Sequence, residues 1–583
     1  VLQLLDRFYE EIFGDGLVKA AKAEPPVPQR GMKTEFKPFP HQQQAIDLFL
    51  QNDGKLIMAH GTGAGKTLGA IFAFDAGRKI GIAQRALVVV PTGLRRNFAK
   101  SGIKKGTHDT WQVFGNKGEV KDGTHVSLEN ADPEKSFSII GYEMFRKDPV
   151  GYMKAAAADT LIMDEVHKIK SPSSLNYQSA MLARSVARNF IGLTGSVVSN
   201  RPGDLAPLLN VTVGYPIAGT PTQFDRRYVK VIGTRKSGIF GGEKKVKVLA
   251  HGSEIKQRFG SFVHFVGHDD LDPALFPKKT SSDIDIEMSD EQQQLYQFAM
   301  GQLPFWVRDR IRRGLPVGQK EAQLVFTKIL QARQAANSIH VHKAEVTPAE
   351  AAERTPKIKK ILDDATNHLA TTPDGQIVMY SNLVKGGIDV LAAGLKTRGV
   401  KFGIFAGKGR EIAGRKIEEE SRQEAVDDYL ANKNRVILVS GAGAEGLDLK
   451  NTTMVQMVDG HFNPEVIQQA EARGRRVKGL WHRPPEKRMV VVKRYRSVMP
   501  KPHFLKRMVG ISRDSTTDEW IYRVAKEKNV LNSQLRRALK GEAPKRIKLP
   551  EGFKPLRSRR TKKYTRRWKV WTARGPEWRY AYN

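Results

Sequence analysis

Residues 55–67 read KLIMAHGTGAGKT: an apolar run, a glycine-rich turn, and the start of a helical stretch. Gly63 and Gly65 let the backbone wrap a phosphate, and the exposed amides with the helix N-terminus favour the anion. Lys66 is placed to reach the β- and γ-phosphates of a nucleotide, and the Thr67 hydroxyl to bind magnesium. The pattern G-x-x-x-x-G-K-[ST] asks for glycine at its first position, where this chain has His60. A chance glycine-rich turn would not carry a strand on one side and a helix on the other.

About 100 residues downstream, TLIMDEVHKIK ends an apolar run on two adjacent carboxylates. At the end of a buried strand Asp164 can hold magnesium and Glu165 can polarise an attacking water. His167 sits where it could couple nucleotide state to the next element. A third set lies in HFNPEVIQQAEARGRRVKG. Gln469, Arg473 and Arg476 fall at i, i+4 and i+7, which predicts one helix face. Two guanidiniums there could reach a γ-phosphate held on another lobe, although an ordinary basic helix would show the same residues.

The elements that must position these groups alternate. KLIMAH, ALVVVP, FSIIGY, TLIMDE and NFIGLTG are strand-like runs between helical stretches from about 40 to 210, which predicts an α/β unit with a parallel sheet. A second alternation begins near 375 with QIVMYS, KFGIFAG, RVILVSG, TMVQMVD and RMVVVKRY. Between them lie helical patterns (SDEQQQLYQFAM, EAQLVFTKILQARQAA) and the stretch GTRKSGIFGGEKKVKV, read either as a loop tracking nucleic acid or as a solvated loop. The expected division is an extension over 1–35, a first lobe over 36–215, a helical insertion over 216–354, a second lobe with closing helices over 355–540, and a tail over 541–583.

Composition narrows the class. The chain has 583 residues, 97 Lys plus Arg against 61 Asp plus Glu, and a net charge of +36. Such a balance points to a polyanion partner, with nucleic acid ahead of a membrane surface. There are no cysteines, which excludes a disulfide scaffold, a Cys-ligated zinc site, an iron–sulfur centre and a thiol nucleophile. No run approaches the ~18 apolar residues of a membrane span, and the first residues carry acids within their apolar stretch, unlike a secretory signal. An intracellular protein is therefore expected, in cytoplasm or nucleoid, or in the host cell if viral. The tail holds 14 Lys/Arg against 3 Glu, with seven interleaved aromatics, a composition suited to phosphate contact plus stacking.

Through about 36–540 the chain resembles the superfamily-two helicase-like ATPases, and within them the Snf (Swi/Snf-type) DNA translocases, as a small divergent member of phage, viral or bacterial type. FPHQQQAIDLFL resembles the glutamine motif, HGTGAGKT motif I, VVVPTGLRRNF motif Ia, IIGYEMFRKD motif Ib, and DEVHKIKSPSS the DEAH box with its basic extension. GLTGSVVSNRPGDLAPLLN resembles motif III, SGAGAEGLDLKNT motif V, NPEVIQQAEARGRRVKG motif VI, and STTDEWIYRVAKEKNVL a closing segment that packs back on the second lobe.

The resemblance implies two RecA-like parallel-sheet lobes with ATP and Mg2+ in the cleft. It implies that Gln42 reads adenine, that Gly63, Ala64, Gly65, Lys66 and Thr67 hold the nucleotide with Gly446 and Asp448, and that Thr194 joins His167 and Gln469 in coupling. Lys66, Asp164, Glu165, Arg473 and Arg476 are the implied catalytic set. The implied partner is DNA, duplex favoured, with RNA open and a polymerase or virion component conceivable. Translocation with remodelling of protein–DNA complexes is the first reading. A strand-separating or branch-migrating helicase, and a basic packaging protein with a relic ATP site, are the alternatives.

Overall fold

The computed structural model describes residues 31–61, 63–115, 125–195, 201–236, 243–267, 270–271, 276–315, 317, 323–343, 345–407, 409–441, 447, 449–475, 479–501, 513–542, 554–555, 567–572 and 575–580. Two all-parallel sheets dominate it. The first is built from β1 (Lys55–His60), β2 (Ala86–Val90), β3 (Trp111–Phe114), β4 (His125–Val126), β5 (Phe137–Gly141), β6 (Thr160–Asp164) and β7 (Asn189–Thr194). Two strands form a separate hairpin, β8 (Val229–Lys236) and β9 (Glu243–Leu249), before β10 (Val263–Val266) closes the first sheet. Its order is β10-β1-β7-β6-β2-β5-β3-β4.

The second sheet contains β11 (Lys278–Glu287), β12 (Gln376–Ser381) and β13 (Phe402–Phe405). After a small two-stranded piece, β14 (Glu411–Ile412) with β15 (Arg415–Lys416), it continues with β16 (Val436–Ser440), β17 (Thr452–Met457) and β18 (Met489–Val498), in the order β11-β18-β17-β12-β16-β13. The central strands are continuous apolar runs because helices cover both faces of a parallel sheet; β2, β7, β12 and β17 are buried along their whole length.

The region expected as a helical insertion is only partly helical. Its helices Asp290–Gly301 and Phe326–Asn337 form where the pattern predicts them, packed on a shared core with Tyr296, Ile329 and Trp520. But β10 belongs to the first sheet and β11 to the second, and both lie inside the 216–354 stretch. The GTRKSGIFGGEKKVKV stretch, expected as a loop, forms the arms of the β8–β9 hairpin. Tail residues add β19 (Lys554–Pro555), paired to β8, and a hairpin of β20 (Arg567–Thr572) with β21 (Gly575–Tyr580); the other tail residues beyond 542, and residues 1–30, lie outside the described residues.

The closing helix, Thr517–Lys540, touches both lobes rather than the second alone. Its first turns join the second-lobe side: Lys357 Nζ donates to Asp518 at 2.7 Å, and Trp520 Nε1 donates to the Leu315 carbonyl at 2.7 Å. Its last turns join the first: Leu535, Ala538 and Leu539 lie in that lobe's core, and Gln534 Oε1 accepts from the Leu249 amide at 2.7 Å. Among the described residues no helix is long and apolar enough to cross a membrane.

Candidate active site

The glycine-rich turn leaves β1 at His60 and enters a helix at Lys66. Gly63 and Gly65 take φ of +85° and +76°, the left-handed region that favours glycine. At Gly65 a Cβ would also stand 2.7 Å from Gln42 Nε2, so this position is glycine for two reasons. Lys66 Nζ donates to the His60 carbonyl at 3.0 Å and to the Gly61 carbonyl at 3.4 Å, lying across the loop it is expected to serve. Thr67 follows it, half-buried, in the first turn of the helix.

Gln42 is buried, and both ends of its amide are engaged by backbone: Oε1 accepts from the Phe39 N–H at 2.8 Å and Nε2 donates to the Gly65 carbonyl at 2.9 Å. It ties the preceding helix, Pro40–Gln51, to the loop. Ala64 is pinned beside it, its carbonyl 2.9 Å from His41 Nε2. These bonds make Gln42 a positioning residue for the loop, whatever else it meets.

Asp164 and Glu165 end β6 beside that loop. Burial, and then the adjoining Glu165 charge, push the Asp164 carboxyl up, with Lys66 opposing. Burial also disfavours ionised Glu165, but the adjoining His167, with Lys66, outweighs it and holds its pKa low. Tyr142 Oη donates to the Asp164 carbonyl at 2.7 Å, and the Glu165 amide donates to Asp164 Oδ1 at 2.9 Å, fixing the turn. Glu165 itself takes φ +52°, ψ +48°, a strained backbone for a non-glycine residue and common at functional sites. His167 Nδ1 stands 3.2 Å from Glu165 Oε2 and 3.3 Å from Thr194 Oγ1. The first is a charge contact rather than an aligned hydrogen bond, since Oε2 makes none.

From the second lobe, Arg473 ends the helix Pro464–Arg473. It is buried and donates Nη1 to the Leu447 carbonyl at 3.3 Å. Gln469 shares this helix, one turn back, and the helix ends at Arg473. Gly474 there presses on β17, where a Cβ would come within 2.7 Å of Thr452 Cγ2. Arg476, Gly446 and Asp448 lie outside the described residues.

The site can take a nucleotide with a divalent cation. Two adjoining carboxylates, Glu165 buried and Asp164 half-buried, fit a cation, with Asp164 and Thr67 to hold it; the glycine cradle fits phosphate. Sequence reasoning missed the histidines behind the loop. His60 Nε2 lies 2.8 Å from His264 Nδ1 on β10, with the His41 ring edge-on to His60 at 5.5 Å. Only the replacement of the first loop glycine by His60 hinted at them.

Comparison with known proteins bears on this geometry. The family model of the SNF2-related domain matches residues 41–341, and that of the helicase conserved C-terminal domain matches 357–478. An ATP-dependent RNA helicase of Acanthamoeba polyphaga mimivirus is similar at 23% identity over 495 residues, covering 84% of this chain and 93% of that protein. A termination factor NPH-I homolog of African swine fever virus is similar at 22% over 570 residues, covering 85% and 76%. The Sulfolobus solfataricus SWI2/SNF2 ATPase core in complex with dsDNA matches at 15% identity with a TM-score of 0.33, covering 89% of this chain and 96% of that one.

Proposed function

The chain belongs to the SNF2-related family and is a nucleic-acid-dependent ATP hydrolase of helicase-like type; from that premise we propose that it translocates on double-stranded DNA and remodels protein–DNA complexes. The observation that carries the reading is the glycine loop leading into Lys66, set in one parallel sheet with the Asp164-Glu165 pair that follows β6, beside a second parallel sheet whose lobe carries Arg473. A site completed by both lobes turns over only when they close, which gives nucleic acid bound across them a way to set the rate.

In this reading Lys66 leaves the His60 and Gly61 carbonyls to bind the β- and γ-phosphates. Glu165, held ionised, orients the attacking water and takes its proton. Arg473, with Arg476, meets the charge that develops on the transferred phosphoryl group. Bound magnesium, held by Thr67 and Asp164, would neutralise phosphate oxygens. His167 and Thr194 link Glu165 to the end of β7, and Gln469 stands one turn from Arg473. Nucleic acid is gripped chiefly through phosphates, so binding is sequence-tolerant and falls steeply with salt.

The second reading is a strand-separating helicase acting on RNA, favoured by the name of the mimivirus relative. Steady-state ATP turnover without nucleic acid and with blunt duplex DNA, single-stranded DNA or RNA, at two salt concentrations, separates them. Stimulation by duplex alone, with no strand displacement on forked substrates, supports translocation. Stimulation chiefly by RNA or single strands supports the second reading.

A further inference from the structure

The small antiparallel sheet of order β19-β8-β9 joins two basic stretches that the sequence keeps far apart. Strands β8 and β9 hold Lys230, Arg235, Lys236, Lys244, Lys245 and Lys247 against a single acid, Glu243. In the register, Arg235 lies directly opposite Lys244, and Thr234 lies between Lys245 on one side and Lys554 of the tail on the other. Period-two alternation puts Lys247 on the same face as Lys245. Lys230 and Lys247, near its root, are exposed.

The root is firm. Leu249 packs against the first-lobe core, its amide donates to Gln534 of the closing helix at 2.7 Å, and the Ala250 amide donates to the Tyr228 carbonyl at 2.7 Å. The hairpin is part of neither parallel sheet.

We infer that this three-stranded sheet is a second nucleic-acid surface, gripping the phosphate backbone through Lys245, Lys247 and Lys554 outside the catalytic cleft. The inference rests on the proposal that the chain works on nucleic acid, and it makes the hairpin and the tail one binding element.

The test is duplex binding by the full chain across a salt series, for wild type and for Lys245→Gln/Lys247→Gln/Lys554→Gln. Each lost phosphate contact makes the plot of log K against log salt shallower by about 0.9. The triple variant should therefore lose between about 2 and 3 of the slope, with ATP turnover in the absence of nucleic acid unchanged. The corresponding triple Lys→Arg variant should keep the wild-type slope, which separates loss of charge from loss of fold. An unchanged slope in the Gln variant, with normal wild-type binding, overturns the surface alone. So does a variant that loses only binding to phosphatidylserine vesicles. A wild-type chain with no salt-dependent binding to duplex, single strands or RNA overturns the proposed function and the surface together.

Discussion

His167 sets one ring nitrogen 3.2 Å from Glu165 Oε2 and 3.3 Å from Thr194, so the carboxylate at the end of β6 and the hydroxyl at the end of β7 share a single imidazole. Removing the ring should leave nucleotide binding intact while uncoupling the strands. His167→Ala is expected to keep turnover without nucleic acid within a few-fold of wild type and to lose most of its stimulation. Equal losses in both would place His167 in the chemistry itself.

Lys66→Ala and Glu165→Gln should each abolish hydrolysis, for different reasons. Loss of a general base costs roughly 10²–10⁴-fold, and Glu165→Gln should still bind ATP, as measured with a fluorescent analogue. Lys66→Ala should lose binding as well. Near-normal turnover in Glu165→Gln would remove it from the role of orienting water.

Arg473 acts from the other lobe. Arg473→Gln is expected to bind nucleotide normally and to lose nucleic-acid-stimulated turnover on the order of 10³-fold, the scale of an arginine finger. Loss of nucleotide affinity in parallel would indicate that its bond to the Leu447 carbonyl, and hence local structure, was what mattered.

Stability should fall on mild acidification. Burial, then the neighbouring His264, holds His60 well below its ordinary value near 6.5. Burial likewise lowers His264 and His368 to about 4. The unfolded chain takes up protons that the fold refuses, so stability present above the unfolded value is lost as pH falls from about 6.5 toward about 4. Urea midpoints between pH 7 and 4.5 should decline, and decline less in His264→Gln. A flat profile would mean these rings are solvated.

The Lys357–Asp518 pair, 2.7 Å apart with side chains 0% and 2% exposed, locks the closing helix to the second lobe. Asp518→Ala strands a buried ammonium and should cost about 3–5 kcal/mol. In Lys357→Met/Asp518→Leu most of this should return, less about 1–3 kcal/mol for the Ser497 amide that Asp518 also accepts. Chemical denaturation of the three proteins checks the order.

Central strands were legible because burial on both faces demands unbroken apolar runs, as in ALVVV and VILVS. β11 was not, because it is a sheet edge and mostly exposed; only Ile284 and Ile286 betray its period. The residue types of the phosphate loop and the Asp164-Glu165 pair were readable, since their spacing is local. The pairing of His60 with His264 spans 204 residues, and no local pattern reports that.

The closing helix has 24 residues and hence a length of about 36 Å, with one end fastened to each lobe. That makes it an internal ruler. The chain contains no cysteine, so paired thiol labels can be introduced without background. Labels along the helix, at Glu527 and Ser533, should hold one separation through every nucleotide state. Labels on opposite lobes, at Leu182 and Leu430, should not. The ratio of the two signals would count lobe closures in single molecules against a standard carried by the protein itself.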